Sequence, residues 1–220
     1  AKAARLYIEL GLAYLKEGQV GRAKTKLLRA KKLAPDLPEV YYALGFYMES
    51  IGETQQAKDN YLAAIAKKPE GGIEHNNYGA FLCRQGAYKE SEKEFLKAVN
   101  DPEYSRIAEA YENAGLCVQQ IPDVAKAKMY FEKAVRIDPK RENALLELGM
   151  ISYQEKNNAK ALEYYSLFTD TGTQSARSLW LGIKLASEFH DEERKQKYLS
   201  MMREKFPKSL EYQEIQKHLS

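Results

Sequence analysis

A glycine set in an apolar helical pattern returns at Gly11, Gly45, Gly79, Gly115, Gly149 and Gly182, in steps of 34, 34, 36, 34 and 33 residues. A period of this length restricts the fold severely, because it means one supersecondary unit stacked on copies of itself. Other positions keep the same frame. Immediately before the glycine stand Leu10, Leu44, Tyr78, Ala114, Leu148 and Leu181, and four before it Tyr7, Tyr41, Tyr111 and Leu145, with His75 and Ser178 as departures. Twelve after it come Ala23, Ala57, Ser91, Ala127 and Ala161; sixteen after it, Leu27, Tyr61, Phe95, Phe131, Tyr165 and Tyr198. Ala30, Ala64, Ala98 and Ala134 follow at nineteen, and Pro35, Pro69 and Pro139 at twenty-four.

Small residues recurring opposite large ones describe two short amphipathic helices that approach closely while aromatic side chains fill the space between them. A glycine inside a helix costs about 1 kcal/mol relative to alanine, so six of them need a compensating close contact. Proline after the second helix stops it, and Pro38 opens the next. Period and pattern together are those of the tetratricopeptide repeat (TPR). The chain is thus expected to be all-α, a right-handed TPR superhelix (α-solenoid) in a single domain spanning 1–220. Its six repeats run 4–37, 38–71, 72–107, 108–141, 142–174 and 175–208, and a polar helix over 208–219 caps the end. The helices are predicted at 4–17 and 20–33, 38–51 and 54–67, 72–85 and 88–100, 108–120 and 123–137, 142–155 and 158–170, and 175–188 and 191–205. The last two repeats are degenerate: Phe168 replaces a small residue, Thr173 stands where proline is expected, and Arg194 replaces an alanine.

The 34 basic and 31 acidic residues are mixed along the chain, unlike the concentrated basic face of a nucleic-acid binder. No stretch is apolar for the ~20 residues that a membrane-crossing helix needs. The first residues, Ala1 to Arg5, read as helix rather than signal peptide. Phosphate loops, dinucleotide fingerprints, nucleophile elbows and His-Glu-x-x-His motifs are missing, and His75, His190 and His218 are too scattered in the repeat frame for a metal centre. His75 sits in a packing slot and reads as a structural histidine. The expectation is a non-enzymatic, monomeric protein-binding module without cofactor. The basic run Lys24, Lys26, Arg29, Lys31 and Lys32 on the second helix reads as a solvated face, the alternative being a contact with an acidic partner or membrane head groups.

First helices of TPR units line the inner curve, so residues one after and three before each glycine are expected to face a ligand. One row is Leu12, Phe46, Ala80, Leu116, Met150 and Ile183; the other is Ile8, Tyr42, Asn76, Glu112, Leu146 and Leu179. The first is wholly apolar. TPR clamps for C-terminal carboxylates need cations here, whereas these rows suit an apolar or amphipathic segment, with Asn76, Asn77 and Asn113 to hydrogen-bond its backbone. Cys83 and Cys117, 34 residues apart on neighbouring first helices, can either bridge or remain buried thiols, and the compartment decides.

The runs Asn76-Asn77-Tyr78-Gly79-Ala80-Phe81-Leu82-Cys83 and Tyr111-Glu112-Asn113-Ala114-Gly115-Leu116-Cys117 resemble the type IV pilus biogenesis and stability proteins PilF and PilW. The likeness extends over essentially the whole chain, although Ala80 stands where that family usually has a large aromatic. The resemblance implies an outer-membrane lipoprotein on the periplasmic face, acting as a pilotin for the secretin PilQ, its lipidated cysteine preceding Ala1. An oxidising periplasm would favour the Cys83–Cys117 disulfide. Two other readings are a general TPR scaffold in another envelope or cytosolic complex, and the TPR portion of a larger enzyme such as a glycosyltransferase.

Overall fold

The computed structural model describes residues 1–219, leaving aside the side chains of Thr171, His218 and Leu219; the histidine expectation at His218 therefore falls outside the described residues. Thirteen helices and no strand occur among the described residues. They pack as two compact units, Ala1–Pro122 and Asp123–Ser220.

The first unit holds α1 (Lys2–Lys16), α2 (Val20–Leu33), α3 (Pro38–Ser50), α4 (Thr54–Lys67), α5 (Gly72–Arg84), α6 (Tyr88–Asn100) and α7 (Ile107–Val118). The second holds α8 (Val124–Ile137), α9 (Glu142–Gln154), α10 (Asn158–Thr171), α11 (Ala176–Glu188), α12 (Glu192–Lys205) and α13 (Leu210–Leu219). Every predicted helix is present, with ends within two residues of expectation. Antiparallel pairing of successive helices follows from short connections, and each first helix also packs on the next one in its unit.

The repeat glycines sit where the two helices of a pair come closest. A Cβ at Gly45 would stand 3.1 Å from the Tyr61 ring, and one at Gly79 would stand 3.0 Å from the Phe95 ring and 3.2 Å from the Ser91 carbonyl oxygen. Glycine thus makes room for the aromatic residue sixteen positions later. The alanines twelve and nineteen after the glycine are fully buried, from Ala23 and Ala30 through Ala127 and Ala134. Phe168, which departs from that row, fills a slot of its own beside Tyr165, with ring centroids 6.1 Å apart.

A second glycine row escaped the sequence reading. The turn between paired helices needs a left-handed residue, supplied by Gly18, Gly52 and Gly86 at φ 72°, 81° and 78°. Lys156 and His190 adopt the same conformation at φ 60° and 56° in the second unit.

Polar stitches join successive first helices. Arg5 donates to Glu39 at 3.0 and 3.2 Å, and Arg84 grips Glu49 with two bonds of 2.6 and 2.8 Å. In the second unit Arg177 grips the buried Glu147 in the same two-pronged way. Cys83 and Cys117 are joined as a disulfide, with Cα atoms 5.7 Å apart, tying α5 to α7.

Two outcomes follow from this packing. Gly79→Val, which drives a branched side chain into Phe95 and the Ser91 carbonyl, should lower unfolding free energy by about 1–3 kcal/mol in urea titrations. Reduction, or Cys83→Ala with Cys117→Ala, should reopen the covalent loop and cost roughly 3–4 kcal/mol on the loop-closure model, read by the same titration with and without dithiothreitol.

Candidate functional site

In the first unit the inward sides of α1, α3, α5 and α7 form a trough with two adjoining hollows. The larger, about 570 Å³, lies among Glu9, Leu12, Ala13, Lys16, Tyr42, Phe46, Tyr61, Asn77, Ala80 and Arg84. The smaller, about 410 Å³, lies among Ala80, Cys83, Arg84, Tyr88, Phe95, Asn113, Leu116, Cys117 and Gln120. Ala80 and Arg84 belong to both, so the hollows meet at α5. The small Ala80 side chain leaves that passage open.

The floor is the row one residue after each glycine: Leu12, Phe46, Ala80 and Leu116. Phe46 is 44% exposed, a large apolar surface to leave in water. The walls come from residues three before and four after this floor, on the same helix or, for Gln120, in the turn just past its end, as a 3.6-residue turn dictates. Glu9, Asn77 and Asn113 form one wall; Lys16, Arg84 and Gln120 form the other. Testing the sequence for neighbours of the floor at helical spacing would have found Glu9, Lys16, Arg84 and Gln120, which the sequence reading missed.

The row three before the glycine corrects the expectation of a second open wall. Ile8, Asn76 and Glu112 are 4%, 3% and 2% exposed. Ile8 is sealed because neighbouring first helices pack together, burying it among Val40, Ala43 and Leu44 of α3. Asn76 is instead a buried strut: Asn113 Nδ2 donates to its Oδ1 at 3.1 Å, and its own Nδ2 reaches Glu109 at 3.5 Å. Of that row in this unit, Tyr42 alone lines the hollow, and burial, with Glu39 beside it, pushes its phenol pKa up. Leu146 and Met150 lie on α9 of the second unit, half-buried against its own core around Leu145 and Leu179.

Arg84 is not a free cation. Glu49 accepts both of its bonds and a third from the Tyr61 hydroxyl at 3.1 Å, so the guanidinium is held in place and its charge is balanced. The Arg84 pKa is raised, chiefly by that hydrogen bond to Glu49. Lys16, by contrast, has no ion-pair partner among the described residues. The trough is therefore an oily floor between a polar wall of Glu9, Asn77 and Asn113 and a weakly basic wall of Lys16, Arg84 and Gln120, with nothing resembling a carboxylate clamp.

His75 braces the helix that carries Asn76 and Asn77. Its Nδ1 lies 2.6 Å from Glu94 Oε2 on α6 and its Nε2 lies 2.7 Å from the Pro69 carbonyl. Both partners are acceptors, an arrangement that favours the doubly protonated ring over the neutral one. The bond to Glu94 accordingly raises its pKa above the ordinary 6.5, against the opposing pull of burial. For Glu94 burial works upward, but the bonds from His75 and Lys97 outweigh it and hold the carboxyl low.

A folded-state pKa raised above the unfolded value contributes stability that is complete below about pH 6.5 and is lost as pH rises through the folded pKa. Unfolding free energy should therefore fall as pH climbs through the neutral range. His75→Tyr, which copies Tyr7, Tyr41 and Tyr111 at the equivalent positions, should flatten that profile in urea titrations across pH.

Comparison with known proteins bears on this architecture directly. A tetratricopeptide-repeat family model matches residues 4–37 and 108–141. The type IV pilus assembly protein PilF of Pseudomonas aeruginosa is 37% identical over 210 residues, covering 96% of this chain and 83% of the relative. A solved structure of Pseudomonas aeruginosa PilF superposes with a TM-score of 0.89 at 36% identity, covering 99% of this chain and 98% of the other. PilW, a type IV pilus biogenesis factor, shares the fold with a TM-score of 0.80 at 23% identity, over 98% and 99% of the two chains. With thirteen helices among the described residues, a tetratricopeptide-repeat match and a relative 37% identical over 96% of this chain, the chain belongs to the family of the type IV pilus assembly protein PilF.

Proposed function

We propose that this protein works in type IV pilus biogenesis as a pilotin, its trough capturing an apolar or amphipathic segment of the outer-membrane secretin subunit PilQ. It would act at the periplasmic face of the outer membrane, held there by a lipid anchor outside the 220 residues. The observation that carries the reading is the unbroken apolar floor of Leu12, Phe46, Ala80 and Leu116 between polar walls. A secretin subunit on its way to a membrane exposes apolar surface, and covering it in such a trough removes that surface from water at roughly 25 cal/mol per Å². Asn77 and Asn113 supply donors and acceptors for the backbone of the guest. No bond is made or broken in this task, and we assign no catalytic residue.

The test is binding of PilQ, by pull-down and calorimetry, to Leu12→Asp, Phe46→Asp and Leu116→Asp singly and together. Placing a carboxylate where the guest's apolar side chains lie should weaken binding at least about tenfold per site and abolish it in the triple variant. Leu62→Asp, at a 42% exposed position on α4, should bind like the parent. Undiminished binding by a folded triple variant would sink the proposal.

A further inference from the structure

Helix α2 differs from the other helices of its unit in charge. Its 14 residues carry Arg22, Lys24, Lys26, Arg29, Lys31 and Lys32 and no acidic residue. Lys26 and Lys31 lie over the rings of Tyr7 and Tyr41 at 5.7 and 5.3 Å. Lys24, Arg29 and Lys32 are exposed and have no acidic partner among the described residues. The acids near the trough do not answer them, since Glu9 lines the trough and Glu39 is taken by Arg5.

The same surface is apolar between its charges. Leu28 is 48% exposed and shares with Tyr7, Lys26, Arg29 and Lys32 a shallow cleft of about 380 Å³.

We propose that the α2 face, with its Tyr7–Leu28 cleft, rests on an anionic lipid surface. A second copy of the chain is a poor occupant, because isologous pairing would bring two cationic helices together. An anionic bilayer presents many equivalent phosphates, matching cations spread along a whole helix. Leu28 enters the head-group boundary while the Lys and Arg stems reach the phosphates. This assignment is independent of what the trough binds.

Flotation of the 220-residue chain with phosphatidylcholine vesicles, and with vesicles also containing phosphatidylglycerol, tests it. Binding is expected only with phosphatidylglycerol and should weaken as salt is added. Each basic side chain near an anionic leaflet strengthens association about fivefold, so Lys24→Gln, Arg29→Gln and Lys32→Gln together should weaken it on the order of 100-fold. Lys58→Gln, Lys89→Gln and Lys93→Gln, an equal loss of charge at exposed sites on other helices, should leave it within a few-fold of the parent. All six positions are exposed, and circular dichroism verifies that both variants stay folded. The assignment is overturned if the chain ignores phosphatidylglycerol, binds both vesicles equally, or loses binding alike in the two triple variants. Capture by polyglutamate without capture by the vesicles would give the surface to an acidic protein and equally overturn it.

Discussion

Everything in this fold depends on the absence of a side chain at one place per repeat. Because Gly45 and Gly79 have no Cβ, the rings of Tyr61 and Phe95 can lie against the backbone of the facing helix, and the buried alanines let the pair close. This contact fixes how each first helix is rotated about its axis. Rotation decides which residues face inward, so the apolar floor of the trough is a downstream result of glycine packing. A fold held this way tolerates exchange on its outer surfaces and very little between the paired helices.

The periodic part of the structure could be read from the sequence because it is periodic. Helix positions, the paired packing of small and large residues, and the floor row Leu12, Phe46, Ala80 and Leu116 all follow from a repeat counted from one glycine. What could not be read depends on angles between helices, which no repeat count contains. Leu12 and Ile8 differ by a little over one helical turn, yet one lines the trough and the other is sealed against Val40 and Leu44. Asn76 and Asn77 are adjacent and equally polar, but the first is a buried strut and the second lines the trough. Helical spacing points to Arg84 as a trough residue, but not to its being a pinned cation, because its partner Glu49 lies 35 residues away on the preceding first helix.

The departures from the repeat are where the protein is individual. His75 breaks the tyrosine row and converts a packing slot into a charged brace between α5, α6 and the Pro69 carbonyl. Cys83 and Cys117 replace contacts that other repeats make through ordinary side chains. Both departures sit beside Asn76, Asn77 and Asn113, and each adds a link between the helices that carry the candidate site.

Such links are distributed unevenly along the trough, and the disulfide shows how. The successive helices α5 and α7 are joined by a covalent bond, whereas α1 and α3 are joined by packing and the Arg5–Glu39 pair. A guest too wide for the trough would therefore part α1 from α3 before it could part α5 from α7.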